Sequence, residues 1–499
     1  MPDLPPLLNQ KTLTICKNVL PVLGGYGPAP DLAALDSFAL SAAPAGAVRG
    51  QLTDGTNFFI AGTATTLERR LDASWSDVSR TAGYTHIGTR SRWSLKQMGT
   101  GVFAANQAQP MQGFNLSNET EFSDVPGAPR ANQLEVAENF LWAGDLFDPI
   151  LGVARDAVGW SAIANGFYWP DTTTDAATAA LSGRQRLEGD GGIVNGIISG
   201  SEVVAIFQEE AIHRADFVGN DIVWQFNRME TTRGLAIAGA AVAIERGVFF
   251  IAEDGFRIFN YTRSENIGKD RVNDWWQDDY DSDYPDSVTV AADPEETRVR
   301  VSYAGAGHTG GRPNKILIWD YVLNQFAVLE VEHYHLIQAG GMAASLDSPD
   351  TAEDPDRIGG ASSDLDPPGD ESFDDRPIGA GTVAAGAFDS SFQLGTFSGT
   401  ALVGQMTTGD LELSPGRRSL LSAVRPEVDG EETTVEVATL DKRGQDVPAI
   451  AFGAPHSMSK DGQCYMRDDG RFHRLRFNLS TQFTAAVAAD LTFRTTGRR

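Results

Sequence analysis

Only two cysteines, Cys16 and Cys464, occur in 499 residues, and they lie near opposite ends of the chain. So few thiols exclude a disulfide scaffold and fit folding in a reducing cytosol, whether the two stay free or form one bridge. No Cys-x-x-Cys and no His-Glu-x-x-His is present, which removes the usual zinc signatures. A P-loop is missing too: Gly268-Lys269 is followed by Asp270 and lacks the upstream glycine. The longest apolar run, residues 234 to 244, is too short to span a bilayer. The opening MPDLPPLLNQ has neither the basic start nor the apolar core of a secretory signal, so a soluble protein made in the cytoplasm is expected. Finally, no block of Lys and Arg offsets a formal charge of -27, from 40 basic against 67 acidic residues. Tight, sequence-independent binding to a phosphate backbone is therefore not expected.

What the chain does have is short runs of strand-forming residues. Helical periodicity is best at 31 to 41 (DLAALDSFALS) and 173 to 186 (TTDAATAALSGRQR). Apolar strand cores stand at NFFIA (57 to 61), GVFAA (101 to 105), FLWAG (140 to 144), VVAIF (203 to 207), VFFIA (248 to 252) and ILIWD (316 to 320). Several intervals approach the roughly 40 to 50 residues of a four-stranded propeller blade. Hairpin partners follow at 65 to 71, 150 to 156 and 324 to 331, and Trp-Ser recurs in ASWSDVSRTAGY (73 to 84) and VGWSAIANGFY (158 to 168).

The pattern predicts an all-β chain: a β-propeller of about six irregular blades over residues 46 to 405, with a large sandwich or a solenoid as rivals. Residues 1 to 45 are expected to form an N-terminal arm and closing segment. The stretch 345 to 376, acidic and rich in Pro, Gly and Ser, reads as a loop inserted in the last blades. Shorter alternating strands at 433 to 440, 471 to 479 and 488 to 495 predict a smaller C-terminal β-sandwich-like domain, 406 to 499. In RFHRLRFNL, His473, Leu475, Phe477 and Leu479 share one face, leaving Arg474 and Arg476 on a basic face that suits an acidic neighbour.

The clearest local pattern is GVFFIAEDGFRIFNYT, 247 to 262. Asp254-Gly255 between two apolar runs predicts a two-residue type I′ turn, with Glu253 facing Phe256, Ile251 facing Ile258 and Phe250 facing Phe259. The all-apolar first strand is expected to be central and its partner more peripheral. Asp254 and Gly255 are thus structural turn residues and not ligand groups.

Few residues carry a chemical signal. His333-x-His335 would put two imidazoles on one strand face, a chelate if His308 converged, but a polar strand face is the plainer reading. Asp279, Asp281 and Asp283 have calcium-loop spacing without the glycine and glutamate such a loop needs, so a solvated acidic loop is preferred. SKDGQCY (459 to 465) fails the glycosidase turn that it partly matches. No catalytic residue, metal or cofactor is expected.

Two segments resemble a known family. NVLPVLGGYGPAPDL (18 to 32), followed by GAVRGQLTDGTNFFIAGTATTLERRLDASWSDVSRTAGY (46 to 84), is similar to the opening of the tail nozzle proteins of short-tailed bacteriophages, also called tail tubular or packaged-DNA stabilisation proteins. DDGRFHRLRFNL (468 to 479) and AADLTFRTTGRR (488 to 499) resemble their closing strands. The resemblance implies a structural, non-enzymatic virion protein with a β-propeller, assembled in the host cytoplasm into a homo-hexameric tail tube. Such a tube sits below the portal and the adaptor ring of the head-tail connection, retains packaged DNA and opens for DNA ejection, with tail fibres as possible further partners. An acidic lumen would pass double-stranded DNA without tight binding. Lumen or gate candidates are Asp278, Asp279, Asp281 and Asp283, with Asp364, Asp366 and Asp370 in the acidic stretch. The alternatives are a receptor- or glycan-binding propeller on a virion or cell surface and, third, a glycoside-processing enzyme.

Overall fold

A computed structural model describes residues 2–4, 12–52, 56–71, 74–85, 92–200, 203–219, 222–293, 296–340, 383–430, 432–443 and 450–497. The gate candidates Asp364, Asp366 and Asp370 lie outside the described residues.

The chain is nearly all β, and most of its strands form a propeller. Seven four-stranded antiparallel units follow one another among the described residues. Their first strands are Ala47–Gln51, Ser94–Met98, Arg130–Ala137, Val194–Ser199, Ala241–Ile244, Thr289–Asp293 and Leu336–Gly340. Each first strand touches the next, and the seventh touches the first, so the units close into a ring around an axis. Successive blades pack face to face: Phe58, Ile60, Trp93 and Phe114 fill the space between blades 1 and 2, while Phe207, Phe250, Phe249 and Trp319 link blades 4, 5 and 6.

The expected count of about six falls short because the seventh blade lacks an apolar signal. Its strands are Leu336–Gly340, the Ala- and Gly-rich Val383–Phe388, Gln393–Ala401 and, from the other end of the chain, Pro30–Ala39. The last of these overturns the helix expected at 31 to 41. Leu32 and Leu35 would share a helix face, yet Leu32 packs toward blade 6 and Leu35 toward blade 1, the two sides of a strand. The open edge of Gln393–Ala401 supplies the partner that decides between the two conformations. The other expected helix is shorter than its pattern: α1 covers Asp175–Ala180, Leu181 ends it in the left-handed conformation, and Gly183–Arg186 becomes the outer strand of blade 3. The Trp-Ser echo is not a repeat of structure, since Trp75 begins a fourth strand and Trp160 ends a third.

The sheet of blade 6 does not stop at its fourth strand, Gln325–Glu330. It continues through Leu13–Lys17, paired parallel, to Gly404–Thr408, Phe472–Leu479, Thr434–Leu440 and His456–Ser457. A second sheet orders Val19–Val22, Gly25–Pro28, Ala486–Gly497, Arg418–Val428 and Cys464–Gly470. The two enclose Val424, Cys464, Leu475 and Phe477, forming a sandwich to which both ends of the chain contribute. Cys16 and Cys464 are both free. The basic face of RFHRLRFNL finds its acidic neighbour within the same chain: Arg474 binds Asp410 and Arg476 binds Glu436. No helix of the described residues is long and apolar enough to cross a membrane.

Candidate functional site: the axial cavity

Where seven inner strands converge, side chains project into a shared space, and their chemistry sets what the propeller can hold. A cavity of about 480 Å³ lies there, within the range of small-molecule sites. Its walls alternate apolar groups, among them Leu95, Ile197 and Val290, with charged ones. Lys96 Nζ donates to Glu135 at 2.7 Å. Arg155 donates through Nε and Nη2 to the two oxygens of Asp145 at 2.6 and 2.8 Å, and Asn132 Nδ2 adds a third bond to that carboxylate. That bonding raises the Arg155 guanidinium above its ordinary pKa.

One residue crosses the axis. Arg92 precedes the first strand of blade 2, and its Nη1 donates to the Val288 carbonyl, 2.7 Å away, at the start of blade 6 on the opposite wall. Asp286, in the crossover between blades 5 and 6, lines the same cavity. Arg92 Nη2 and Asp286 Oδ1 are each buried without a hydrogen-bond partner, and no direct ion pair joins the two residues. Burial pushes the Arg92 guanidinium down to about 10, against the opposing pull of Asp286 and Tyr280. His335 is held down to about 3 by burial, then by the positive charge of Arg92 and by His333. It is a neutral polar group here and cannot act as a cation.

The structure separates the sequence candidates. His333 is sealed in the core, with Nδ1 2.8 Å from the Val331 carbonyl and Nε2 2.7 Å from Ser302 Oγ. His308 is committed elsewhere, to Asp281 Oδ2 at 2.9 Å and to the Gly311 amide, so the three imidazoles do not converge. No group of three metal-ligating side chains occurs among the described residues. Asp279 ends α2, Asn273–Asp279, where Lys315 Nζ donates to both its oxygens at 2.6 and 2.9 Å and Tyr303 donates at 2.9 Å. Asp278 and Asp283 remain exposed. Arg92 sits in no motif, and its only sequence signal is a charged residue shortly before the first strand of a blade; Asp286 closes the same acidic run, 274 to 286, that holds Asp278, Asp279, Asp281 and Asp283.

The Asp254-Gly255 turn corrects the expected register. Ala252 pairs with Gly255, Ile251 with Phe256 and Phe250 with Arg257, so Glu253 and Asp254 form the loop. Only Gly255 has positive φ, at 105°, which a type I′ turn would require at both central positions. The strand Gly255–Phe259 is buried at every position and is not peripheral. Asp254 is more than a turn former: its Oδ2 accepts from Arg257 Nη1 at 2.7 Å.

No family model matches this sequence, and no curated protein does. Among solved structures it is similar at 12% identity to the computationally designed Ika8 protein, over 62% of this chain and 93% of that one, with a TM-score of 0.34. Virginiamycin B lyase from Staphylococcus aureus aligns over 62% and 93% at 12% identity with a TM-score of 0.35. BamB from Moraxella catarrhalis aligns over 64% and 87% at 12% identity with a TM-score of 0.36.

Proposed function

We propose that this chain is a structural subunit of a phage tail nozzle, one copy of a ring that conducts DNA and retains it until ejection. The observation that carries the reading is where the cations go. Lys315, Arg184, Arg298, Arg300 and Arg474 are each bound by carboxylates of the same chain. Against 40 basic residues stand 67 acidic ones, so the surplus is left as unopposed negative charge. A surface of that sign repels phosphate and suits a conduit through which DNA must slide.

The conduit of this proposal runs between subunits, not along the propeller axis. Arg92 bridges opposite walls there, and a cavity of about 480 Å³ has no room for a duplex whose major groove alone is about 12 Å wide. Electron microscopy of purified virions labelled on this subunit tests the reading. A six-fold ring on the particle axis with an acidic lumen supports it; peripheral appendages, or a basic lumen, would sink it.

The axial cavity favours one second reading, a ligand- or glycan-binding propeller. Polar groups of both signs converge on a cavity that apolar side chains also line, a common form of small-molecule site. Retained binding of a glycan array by the wild type, lost on Arg92→Met, would move the assignment there.

A further inference from the structure

A strand at the border of a sheet exposes a row of unpaired amides and carbonyls, and proteins normally blunt such a border with proline, lysine, short length or a covering segment. The strand Ala486–Gly497 pairs along its length with Arg418–Val428 on one side. On its other side, among the described residues, only Ala486 has a strand partner, Tyr26. Among the described residues no strand covers that edge from Val487 onward, and the strand contains neither proline nor lysine. Phe493 is 42% exposed and Val487 61%. Asp490 and Arg494 are exposed and form no ion pair with described residues.

The order of residues along this edge is self-complementary. Folded back antiparallel about Thr492, the strand sets Asp490 opposite Arg494, Leu491 opposite Phe493, Thr492 opposite itself and Ala489 opposite Thr495. Opposite charges, apolar pairs and Thr–Thr are the cross-strand partners that favour pairing. The pairing with Arg418–Val428 skips Val487 and Thr496 but uses every residue from Ala488 to Thr495, so the stretch is regular on this strand. Ser422 Oγ donates to the Thr492 carbonyl at 2.9 Å, which turns that carbonyl inward. Alternation then points the amides and carbonyls of Leu491 and Phe493 outward, where the same register joins them reciprocally.

We infer that this edge pairs with the same edge of a second copy of the chain, antiparallel about Thr492, to give a two-fold dimer with one continuous sheet. Such a contact is isologous, each copy presenting the same patch. It buries Phe493 against Leu491 of the partner and places two Asp490–Arg494 pairs across the axis. The inference does not depend on the nozzle reading, which the virion images test separately.

Sedimentation velocity of the full chain over a wide concentration range gives the test. Wild type is expected to dimerise reversibly. Asp490→Arg alone and Arg494→Asp alone each set like charges opposite one another twice, and each should weaken association about tenfold. The double variant Asp490→Arg/Arg494→Asp restores opposite charges and should recover wild-type affinity. Phe493→Pro deletes an outward amide and should leave a monomer whose circular dichroism is unchanged. A wild type that stays monomeric throughout, or a dimer indifferent to the single reversals, overturns the inference.

Discussion

Arg474 lies against Asp410 on the face of Phe472–Leu479 turned away from the sandwich core, Nε and Nη2 both donating to Oδ1 at 2.9 and 2.6 Å, with the side chains 4% and 0% exposed. Removing Arg474 takes from the buried Asp410 carboxylate the guanidinium that lies against it. Arg474→Met is therefore expected to destabilise the fold by about 3 to 5 kcal/mol. Arg474→Met with Asp410→Leu should recover much of that loss, because two apolar side chains leave no buried charge. Urea midpoints of both variants check the pair.

Gly255 combines a φ of 105° with a crowded position: a Cβ there would come within 2.2 Å of the Asn273 side chain. That side chain cannot swing aside freely, since its Oδ1 accepts from the Phe256 amide and its Nδ2 donates to the Asp254 carbonyl. Gly255→Val should abolish folding or lower stability by about 3 kcal/mol. Asp254→Asn, which the turn alone would tolerate, should cost about 1 kcal/mol through its weakened hold on Arg257. Thermal unfolding of the two variants separates turn geometry from ion pairing.

Burial holds the imidazoles of His213 and His333 down to about 4. The unfolded chain binds those protons near pH 6.5 and the folded chain does not. Their contribution is thus fully present above pH 6.5 and is lost as pH falls toward 4, by up to about 1.4 kcal/mol per pH unit for each histidine. Denaturant titrations at pH 7, 6 and 5 should show this decline, and His333→Gln should flatten part of it. A stability independent of pH over that range contradicts the assignment.

Three neighbouring carboxylates divide by role. Asp279 is held by Lys315 and Tyr303, whereas Asp278 and Asp283 face solvent. Asp279→Asn is expected to lower stability by about 1 to 3 kcal/mol. Asp278→Asn with Asp283→Asn should leave the melting temperature unchanged. If the nozzle reading holds, that double variant alters DNA ejection without altering assembly.

Blades 1 to 5 were legible because the apolar run found in each is its second strand, flanked by strands on both sides and packed on both faces. In blade 6 the run ILIWD fell on the third strand, Lys315–Asp320. Blade 7 was hidden by Val383–Phe388, whose alanines and glycine carry little apolar contrast, and by a fourth strand donated from residues that mimic a helix. The hairpin at 247 to 262 was legible in kind but slipped in register, because the choice between adjacent turns rests on contacts with Asn273, seventeen positions beyond Phe256. That Arg92 and Asp286 share an axial cavity was not legible. Its charged groups come from segments joined only by ring closure, and no local pattern records that.

Blade 7 pairs Ala39 with Gln393, residues more than 350 positions apart in the chain. On a ribosome adding about 5 to 20 residues per second, the early strand waits roughly 20 to 70 s for its partner. Pro30–Ala39 must spend that interval as an exposed apolar segment, free to meet another unfinished chain. Ring closure is in this sense a timing problem: the propeller becomes a closed body only once residue 393 has been made, and a chain cut short just before it would have every earlier blade but no clasp.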